Sequence, residues 1–300
     1  MKIIKSVLAI LFLSLMVSCS SDDSNSPVNA ENPVDTENPS SNVDSFTLKV
    51  DGQVKTVTQW QAKKMEHLLA INGVTNDGLS VQIVFNKNGN VGEVTVINPT
   101  QSLWRLNYAY NRAAYFNFDM SSLNETNSRV VASFSGKVYD DERDLTSDFY
   151  EVEGNFNLAY TAGQLTAPGL GLSAVVNGQN WLDSGTVSTS TQNWSTIYNN
   201  FSSDNEYELS IVVDENTAIG SYTFNESSEY NKLAVFKYNP ELGYEEEFVS
   251  NSGTLQITEK TSLTFGRYII GGTFSGTASN PETGEVVTVT NGTFKAIYEN

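Results

Sequence analysis

Hydrophobic and polar residues alternate with a period of two over most of the chain after residue 45, which predicts β-strands. Residues 130–134 read Val-Val-Ala-Ser-Phe and residues 156–160 read Phe-Asn-Leu-Ala-Tyr, so apolar side chains recur at every second position. Residues 104–110 alternate in the same way, which places Trp104 and Tyr108 on an apolar face. No stretch of the sequence has the periodicity of a convincing amphipathic helix.

Segments rich in asparagine, aspartate and glycine separate the alternating segments and predict tight turns. Asp51-Gly52 and Asn177-Gly178 have the composition of hairpin turns, in which glycine accepts a positive φ at little cost. Residues 76–78, 88–90 and 291–292 carry similar turn signals. The sequence therefore predicts an antiparallel, all-β chain.

The alternating region contains the same landmarks twice. The first copies are residues 50–53, 79–84, 134–136 and 154–156, and the second copies are residues 176–179, 209–213, 274–276 and 292–294. The distance along the sequence between a landmark and its second copy varies, as it would if loops had been inserted in one copy. This pattern predicts two related domains in tandem, each long enough for its own core. We place the domains at 46–162 and 170–300, with a linker at 163–169. Each is expected to be an antiparallel β-sandwich or open barrel of about seven to nine strands.

The same landmarks carry a resemblance to a known family. Residues 176–181, 272–276 and 289–294 resemble an uncharacterised domain that is common in Bacteroidetes lipoproteins. The match is good over the second domain and weaker over the first, where Trp60 is displaced. That family has no assigned activity, so the resemblance implies an envelope location and supplies no catalytic residues.

The N-terminus resembles the export signal of a bacterial lipoprotein. Two lysines precede an apolar run at 7–17, which is too short to span a bilayer. Residues 15–19 resemble a lipobox, so residues 1–18 are expected to be removed and Cys19, the one cysteine, to be acylated. Lipid on Cys19 would anchor the chain stably in a membrane. The alternative is an ordinary secretory signal with an incidental cysteine.

The residues after Cys19 bear on location. Ser20, Ser21, Asp22 and Asp23 resemble the surface-export signal of Bacteroidetes lipoproteins, which implies an outer-membrane anchor facing the cell surface. The alternative is an anchor that faces the periplasm. Residues 19–45 contain no aromatic, lysine or arginine residue, so they are predicted to form a disordered tether.

The chain is strongly acidic, with 35 Asp and Glu against 17 Lys and Arg and a formal net charge of −18 at pH 7. Nucleic-acid binding needs basic patches, so no nucleic-acid partner is expected. The same charge disfavours contact with anionic lipid beyond the anchor. We interpret the acidity mainly as a source of solubility.

Few residues offer catalytic or metal chemistry. His67 is the one histidine and is interpreted as a surface or strand-end residue; zinc sites with two or more His or Cys ligands are excluded by composition. No nucleophile elbow, phosphate-binding loop or EF-hand motif is present, so no enzyme activity and no cofactor are expected. Asp140, Asp141 and Asp144 are interpreted as part of a solvated hairpin tip, and the alternative is that they form a calcium site.

Exposed aromatic rings can stack on sugars or anchor protein partners. Trp194, in a polar segment predicted to be a loop, is one candidate, and Trp104 and Tyr108 are two more, with core packing as the alternative for Trp104. Trp60 and Trp181 are interpreted as core or rim residues.

These observations predict a lipid-anchored, surface-exposed, non-catalytic binding or adhesion module with a glycan or protein ligand. One alternative is a structural or accessory subunit of an envelope assembly. The other is a glycoside hydrolase that uses a pair of carboxylates.

Overall fold

The computed structural model of the chain describes residues 43–192 and 195–299. Residues 1–42, which include the predicted signal peptide, Cys19, Ser20, Ser21, Asp22, Asp23 and most of the tether, lie outside the described residues, as does Trp194. Within the described residues, no helix has the length and apolar character needed to cross a bilayer.

The described chain is almost entirely β-strand, as predicted, and it forms two large sheets. The strands of the first sheet are β1 (Ser45–Val50), β2 (Gln53–Lys55), β3 (Val57–Met65), β4 (Leu68–Thr75), β5 (Ser80–Asn86), β6 (Val91–Asn98), β7 (Leu103–Asn107), β8 (Phe116–Asn124), β9 (Arg129–Tyr139), β10 (Phe149–Ala159) and β11 (Thr161–Ala162). One short helix, α1 (Arg112–Tyr115), lies between β7 and β8.

The second sheet follows along the chain. Its strands are β12 (Gly171–Val176), β13 (Gln179–Leu182), β14 (Thr186–Gln192), β15 (Thr196–Ser202), β16 (Tyr207–Asp214), β17 (Gly220–Asn225), β18 (Lys232–Asn239), β19 (Tyr244–Ser262), β20 (Arg267–Ser279) and β21 (Val286–Glu299). The two sheets contain eleven and ten strands, whereas seven to nine strands were predicted for each domain. Strands as short as β2 and β11 are too brief to show a period of two in the sequence.

The two sheets have corresponding strand orders. The first sheet runs β11-β3-β4-β5-β6-β7-β9-β10-β1-β2, with β8 on β9, and the second runs β13-β12-β21-β20-β19-β18-β16-β15-β14, with β17 on β19. Strand β19 pairs first with β18 and then with β20, so it matches β7 and β8 taken together. Helix α1 therefore interrupts, in the first sheet, a strand that is continuous in the second.

Each sheet packs its apolar face into its own core, and the predicted inward residues of 130–134 and 156–158 are buried. The chain from Val43 onwards nevertheless forms one compact unit, so the division at 46–162 and 170–300 stays a prediction. The predicted linker is packed, because Ala167 is buried and the Gly169 amide donates to the Glu66 carboxylate at 2.9 Å.

The two predicted hairpin turns are confirmed. Asp51 and Gly52 have φ values of 50° and 72°, and Asn177 and Gly178 have 48° and 81°. Both turns also use the side chain of their first residue to continue the strand ladder. The Asp51 Oδ1 accepts a hydrogen bond from the Glu151 amide at 2.9 Å, and the Asn177 Oδ1 accepts one from the Thr288 amide at 2.9 Å.

The predicted turn at 291–292 is wrong. Asn291 has a φ of 52°, but it lies inside β21, where the register with β12 and β20 shifts. A left-handed residue followed by glycine is compatible with a β-bulge as well as with a turn. Whether Asn291 forms a bulge or a turn depends on the strands that pair with this segment, and the local sequence does not show which strands these are.

The recurring Phe and Gly landmarks have a packing explanation. Phe134 lies opposite Gly154 in the β9–β10 hairpin, and Phe274 lies opposite Gly292 in the β20–β21 hairpin. A Cβ on Gly292 would come within 2.5 Å of the Phe274 ring, and one on Gly154 within 2.7 Å of the Phe134 ring. Each ring therefore covers a cross-strand glycine, an arrangement that fixes strand register.

Candidate functional site

The aromatic strand at 104–110 does not bury the face that the alternation predicts. Strand β7 ends at Asn107, and its buried residues are Arg105 and Asn107, whereas Trp104 is 47% exposed. The Asn107 side chain accepts a hydrogen bond from the Val94 amide at 2.9 Å, and Arg105 forms an ion pair with Asp140 at 2.6 Å. Polar residues with such partners can be buried at modest cost, so Trp104 faces outward and stays accessible for stacking.

Tyr108 is wrong as a ligand-stacking candidate, because it is only 2% exposed. It belongs to a tyrosine cluster in which Tyr238, from the second sheet, packs among residues of the first. The members of the cluster are Tyr108, Tyr110, Tyr115, Tyr139 and Tyr238. The hydroxyl groups of Tyr108 and Tyr238 lie 3.0 Å apart, and the Tyr110 and Tyr238 rings are stacked. A ring enclosed in this way has no free face for a ligand.

The tyrosine hydroxyls stay protonated across the ordinary pH range. Burial raises the pKa of Tyr108, and the hydrogen bond to Tyr238 together with burial raises the pKa of Tyr115 to about 12. The cluster is therefore a neutral, hydrogen-bonded contact between the two sheets.

The alternative calcium site is not formed. Asp140 pairs with Arg105, the Asp141 carboxylate accepts from the Arg143 amide at 3.0 Å, and the Asp144 carboxylate accepts from Thr146. Across the described residues, no three His, Cys, Asp or Glu side chains are grouped to hold a metal ion. These aspartates stabilise the turn between β9 and β10, which agrees with the hairpin-tip interpretation.

Helix α1 places a buried arginine between the sheets. Arg112 is 7% exposed, and its Nη1 donates to the Ser202 hydroxyl at 3.2 Å and to the Ser203 carbonyl at 2.9 Å. The Ala113 amide donates to the Asp204 carbonyl at 2.7 Å. A contact that depends on a short insertion and on residues about 90 positions away could not be read from the alternation.

Several half-buried carboxylates surround Arg112. Desolvation raises the pKa of Glu93. The pKa of Glu208 is raised to about 8, mainly by desolvation and secondly by repulsion from Glu245. Desolvation also raises the pKa of Glu245, against the attraction of Arg112 and Arg143. The group links the two sheets electrostatically, and Glu208 gains or loses a proton near neutral pH.

The one histidine also joins the sheets. His67 lies in the turn between β3 and β4, as the strand-end interpretation predicts, and its Nε2 is 3.1 Å from the Asp183 carboxylate. Asp183 is fully buried and also accepts from the Leu172 amide at 2.7 Å. Asn86 donates to the Leu182 and Asp183 carbonyls nearby. His67 therefore contributes to a packed contact.

A different surface, on the second sheet, is distinguished by its side chains. Along one stretch of four adjoining strands in the second sheet, the outward side chains are uncharged and mostly hydroxylated, and we name this stretch the hydroxyl face. Its members are Ser221 and Thr223 on β17; Ser252, Thr254 and Gln256 on β19; Thr273, Ser275 and Thr277 on β20; and Thr288, Thr290, Asn291 and Thr293 on β21. They alternate with core residues such as Leu255 and Phe274.

The hydroxyl face contains a shallow groove of about 730 Å³ that crosses all four strands. Thr223, Thr254, Thr273, Ser275 and Thr293 are among the polar residues that line it. Neighbouring hydroxyl groups pair across strands, at 3.2 Å between Thr254 and Ser275. The face ends where Lys295 and Glu259 form an ion pair at 2.8 Å.

The matching face of the first sheet is charged in part: Asp119, Lys137, Glu151 and Glu153 are charged, whereas Asn117, Ser133, Ser135 and Asn155 are not. We align the two sheets by setting the Phe134–Gly154 pair against the Phe274–Gly292 pair and following the strand register. In this alignment Asp119 corresponds to Gln256, and Glu153 corresponds to Asn291. Lys49 and Glu153 form an ion pair at 3.0 Å on that face. The sequence does carry a signal for the difference: serine and threonine fill the polar positions of 273–277 and 288–293. A search for aromatic and acidic residues alone does not detect this signal.

No protein-family model matches the chain, and no curated protein matches it at a significant level. Function is therefore inferred from the residues themselves.

Proposed function

We propose that the chain is a non-catalytic envelope lipoprotein, anchored in the outer membrane through Cys19, that binds a ligand through the hydroxyl face. The observation that carries the proposal is the grooved, uncharged surface on a chain with a formal net charge of −18. Charged side chains keep a protein surface soluble, and the matching face of the first sheet carries four of them, Asp119, Lys137, Glu151 and Glu153. The corresponding positions of the second sheet are all uncharged, which supports a role in recognition.

The lipobox and the residues that follow it support the location. A coil of 26 residues spans roughly 30 Å, which would carry the folded part clear of the lipid headgroups. The hydroxyl face would then be accessible to molecules outside the membrane. Protease treatment of intact cells distinguishes a surface anchor from a periplasmic one, and Cys19→Ala should abolish incorporation of labelled palmitate.

Binding is tested with intact cells that display the full chain on glycan and protein arrays. The variant Thr254→Lys with Thr273→Lys places two charges on the hydroxyl face and should abolish array binding. The control, Ser133→Lys with Asn117→Lys, places two charges at matching positions of the first sheet and should leave binding unchanged. Equal binding by both variants, or no binding by the parent chain, contradicts the proposal; in the second case, crosslinking to a stoichiometric envelope protein would favour the accessory-subunit alternative.

One observation favours a second candidate function, a carboxylate-based glycoside hydrolase. Glu208 and Glu245 are half-buried acids that interact, and Glu208 has the raised pKa of a general acid. Release of reducing sugar by the parent chain but not by Glu208→Gln would establish this function. If neither the parent chain nor Glu208→Gln releases reducing sugar, the binding function remains the proposal.

A further inference from the structure

The groove of the hydroxyl face selects its ligand first by charge. None of the polar side chains that line it, all within the described part of the chain, is ionisable, apart from Tyr222, whose ring packs against the core. An anionic ligand would find no cation there and would be repelled by the acidic chain. A cationic ligand would bind more favourably to the many carboxylates elsewhere. The groove therefore favours a ligand without charge.

The chemistry of the face also disfavours a protein partner. The cores of protein interfaces are enriched in aromatic residues, methionine and arginine, and the outward positions of the face contain none of these. The exposed large apolar residues of the described chain, such as Trp104 and Phe265, lie outside the groove. A neutral ligand rich in hydroxyl groups matches this surface better.

The hydroxyl pairs leave hydrogen-bonding capacity for such a ligand. Each hydroxyl group has one donor and two acceptor positions. In a pair such as Thr254 and Ser275, or Ser252 and Thr277, the hydrogen bond between the two hydroxyl groups uses one of their two donors. Sugar hydroxyl groups both donate and accept, so they can satisfy the remaining positions. Outward side chains recur about every 6.8 Å along a strand and about 4.8 Å between neighbouring strands. This regular spacing suits a ligand built from repeating units.

We propose that the groove binds a neutral, extended polysaccharide, which lies across β17, β19, β20 and β21. This inference rests on the proposed binding function and names its ligand class. The sugar chain is held by hydrogen bonds from hydroxyl and amide side chains. Binding that lacks charge pairs is insensitive to salt.

The test is affinity electrophoresis of the full chain, purified in detergent, in native gels that contain hydroxyethyl cellulose, soluble starch or alginate. We expect a neutral glucan to retard the chain at low and at high salt, and alginate to leave its migration unchanged. The variant Thr254→Val, Ser275→Ala, Thr293→Val removes three hydroxyl groups with little change in shape and should weaken retardation at least about tenfold. The matched control, Asn117→Ala, Ser135→Ala, Asn155→Ala, alters the equivalent positions of the first sheet and should stay within about twofold.

Circular dichroism melting establishes that both triple variants are folded. If the first does not fold, Thr254→Val alone should weaken retardation about threefold. Retardation by alginate that is lost in the hydroxyl variant overturns the ligand class and leaves the proposed function intact. Equal retardation of both triple variants by a neutral glucan overturns the site. No retardation by any of the three overturns the inference, whereas array binding by displayed cells decides the proposed function separately.

Discussion

The closing hairpins of the two sheets agree on their inner side and differ in part on their outer side. On the inner side, Phe134 covers Gly154 and Phe274 covers Gly292 in the same register. On the outer side, Glu153 of the first hairpin corresponds to Asn291 of the second. Core packing tolerates few changes of volume, whereas an exposed position accepts most residues. The comparison indicates that packing constrains the inner face, whereas the outer face can carry residues suited to a separate role.

The largest expected effect concerns the contact that joins the sheets. Helix α1 interrupts the first sheet only, and it carries Arg112. Arg112→Ala should lower the free energy of unfolding by about 3–5 kcal/mol, because it removes the two hydrogen bonds that this buried cation donates to Ser202 and Ser203, each worth about 1.5–3 kcal/mol. Urea denaturation of the full chain measures this. Arg143→Ala, at an exposed position, is the control, and a loss below about 1 kcal/mol for Arg112→Ala contradicts the role of this residue.

The next prediction breaks the shared inner face. Gly154→Ala and Gly292→Ala should each lower the free energy of unfolding by about 1–3 kcal/mol, because the new methyl group meets a phenylalanine ring. Gly154→Ala should cost more, since its Cβ also meets the Thr47 carbonyl oxygen, which is backbone and cannot rotate away. Urea midpoints measure both, with Ser133→Ala as the control. A larger loss for Gly292→Ala would refute this ranking.

A third prediction uses the proton of Glu208. Its pKa is about 8 in the folded chain, above the ordinary 4.5, so the folded state binds this proton more tightly than the unfolded state does. Stability should therefore fall as the pH rises from about 4.5 to about 8. Glu208→Gln should flatten the profile and stabilise the chain by roughly 2 kcal/mol at pH 8.

Thermal or urea denaturation at several pH values measures this profile. Glu153→Gln, on the exposed face of the first sheet, should leave the parent profile unchanged. A Glu208→Gln profile as steep as that of the parent chain would show that another group is responsible.

The smallest effect is expected on the outer face. Lys49→Thr with Glu153→Thr replaces the exposed ion pair by hydroxyl groups and should change the free energy of unfolding by less than about 0.5 kcal/mol. The same urea experiment measures it. A loss above about 1.5 kcal/mol would mean that this face has a structural role, and the divergence of the two faces would lose its explanation.

The sequence predicted the strands, the two hairpin turns and the repeat landmarks, because these depend on neighbours along the chain. It failed at β7, where Arg105 and Asn107 are buried in place of Trp104. Alternation shows that two faces exist, but partners such as Asp140 and the Val94 amide decide which face is inside. It failed at Asn291 for the same reason, since a bulge and a turn share a local conformation.

By itself, then, the sequence determined the all-β class, the positions of most strands and which residues along them are charged or hydroxylated. Only the tertiary structure decided that four separated segments present those hydroxyl groups on one grooved surface. It also decided that Arg112, Tyr238 and Asp183 join the sheets. The physical reason is that a period of two fixes the side of a strand on which a residue lies, whereas strand neighbours and contacts between sheets depend on residues far apart along the chain.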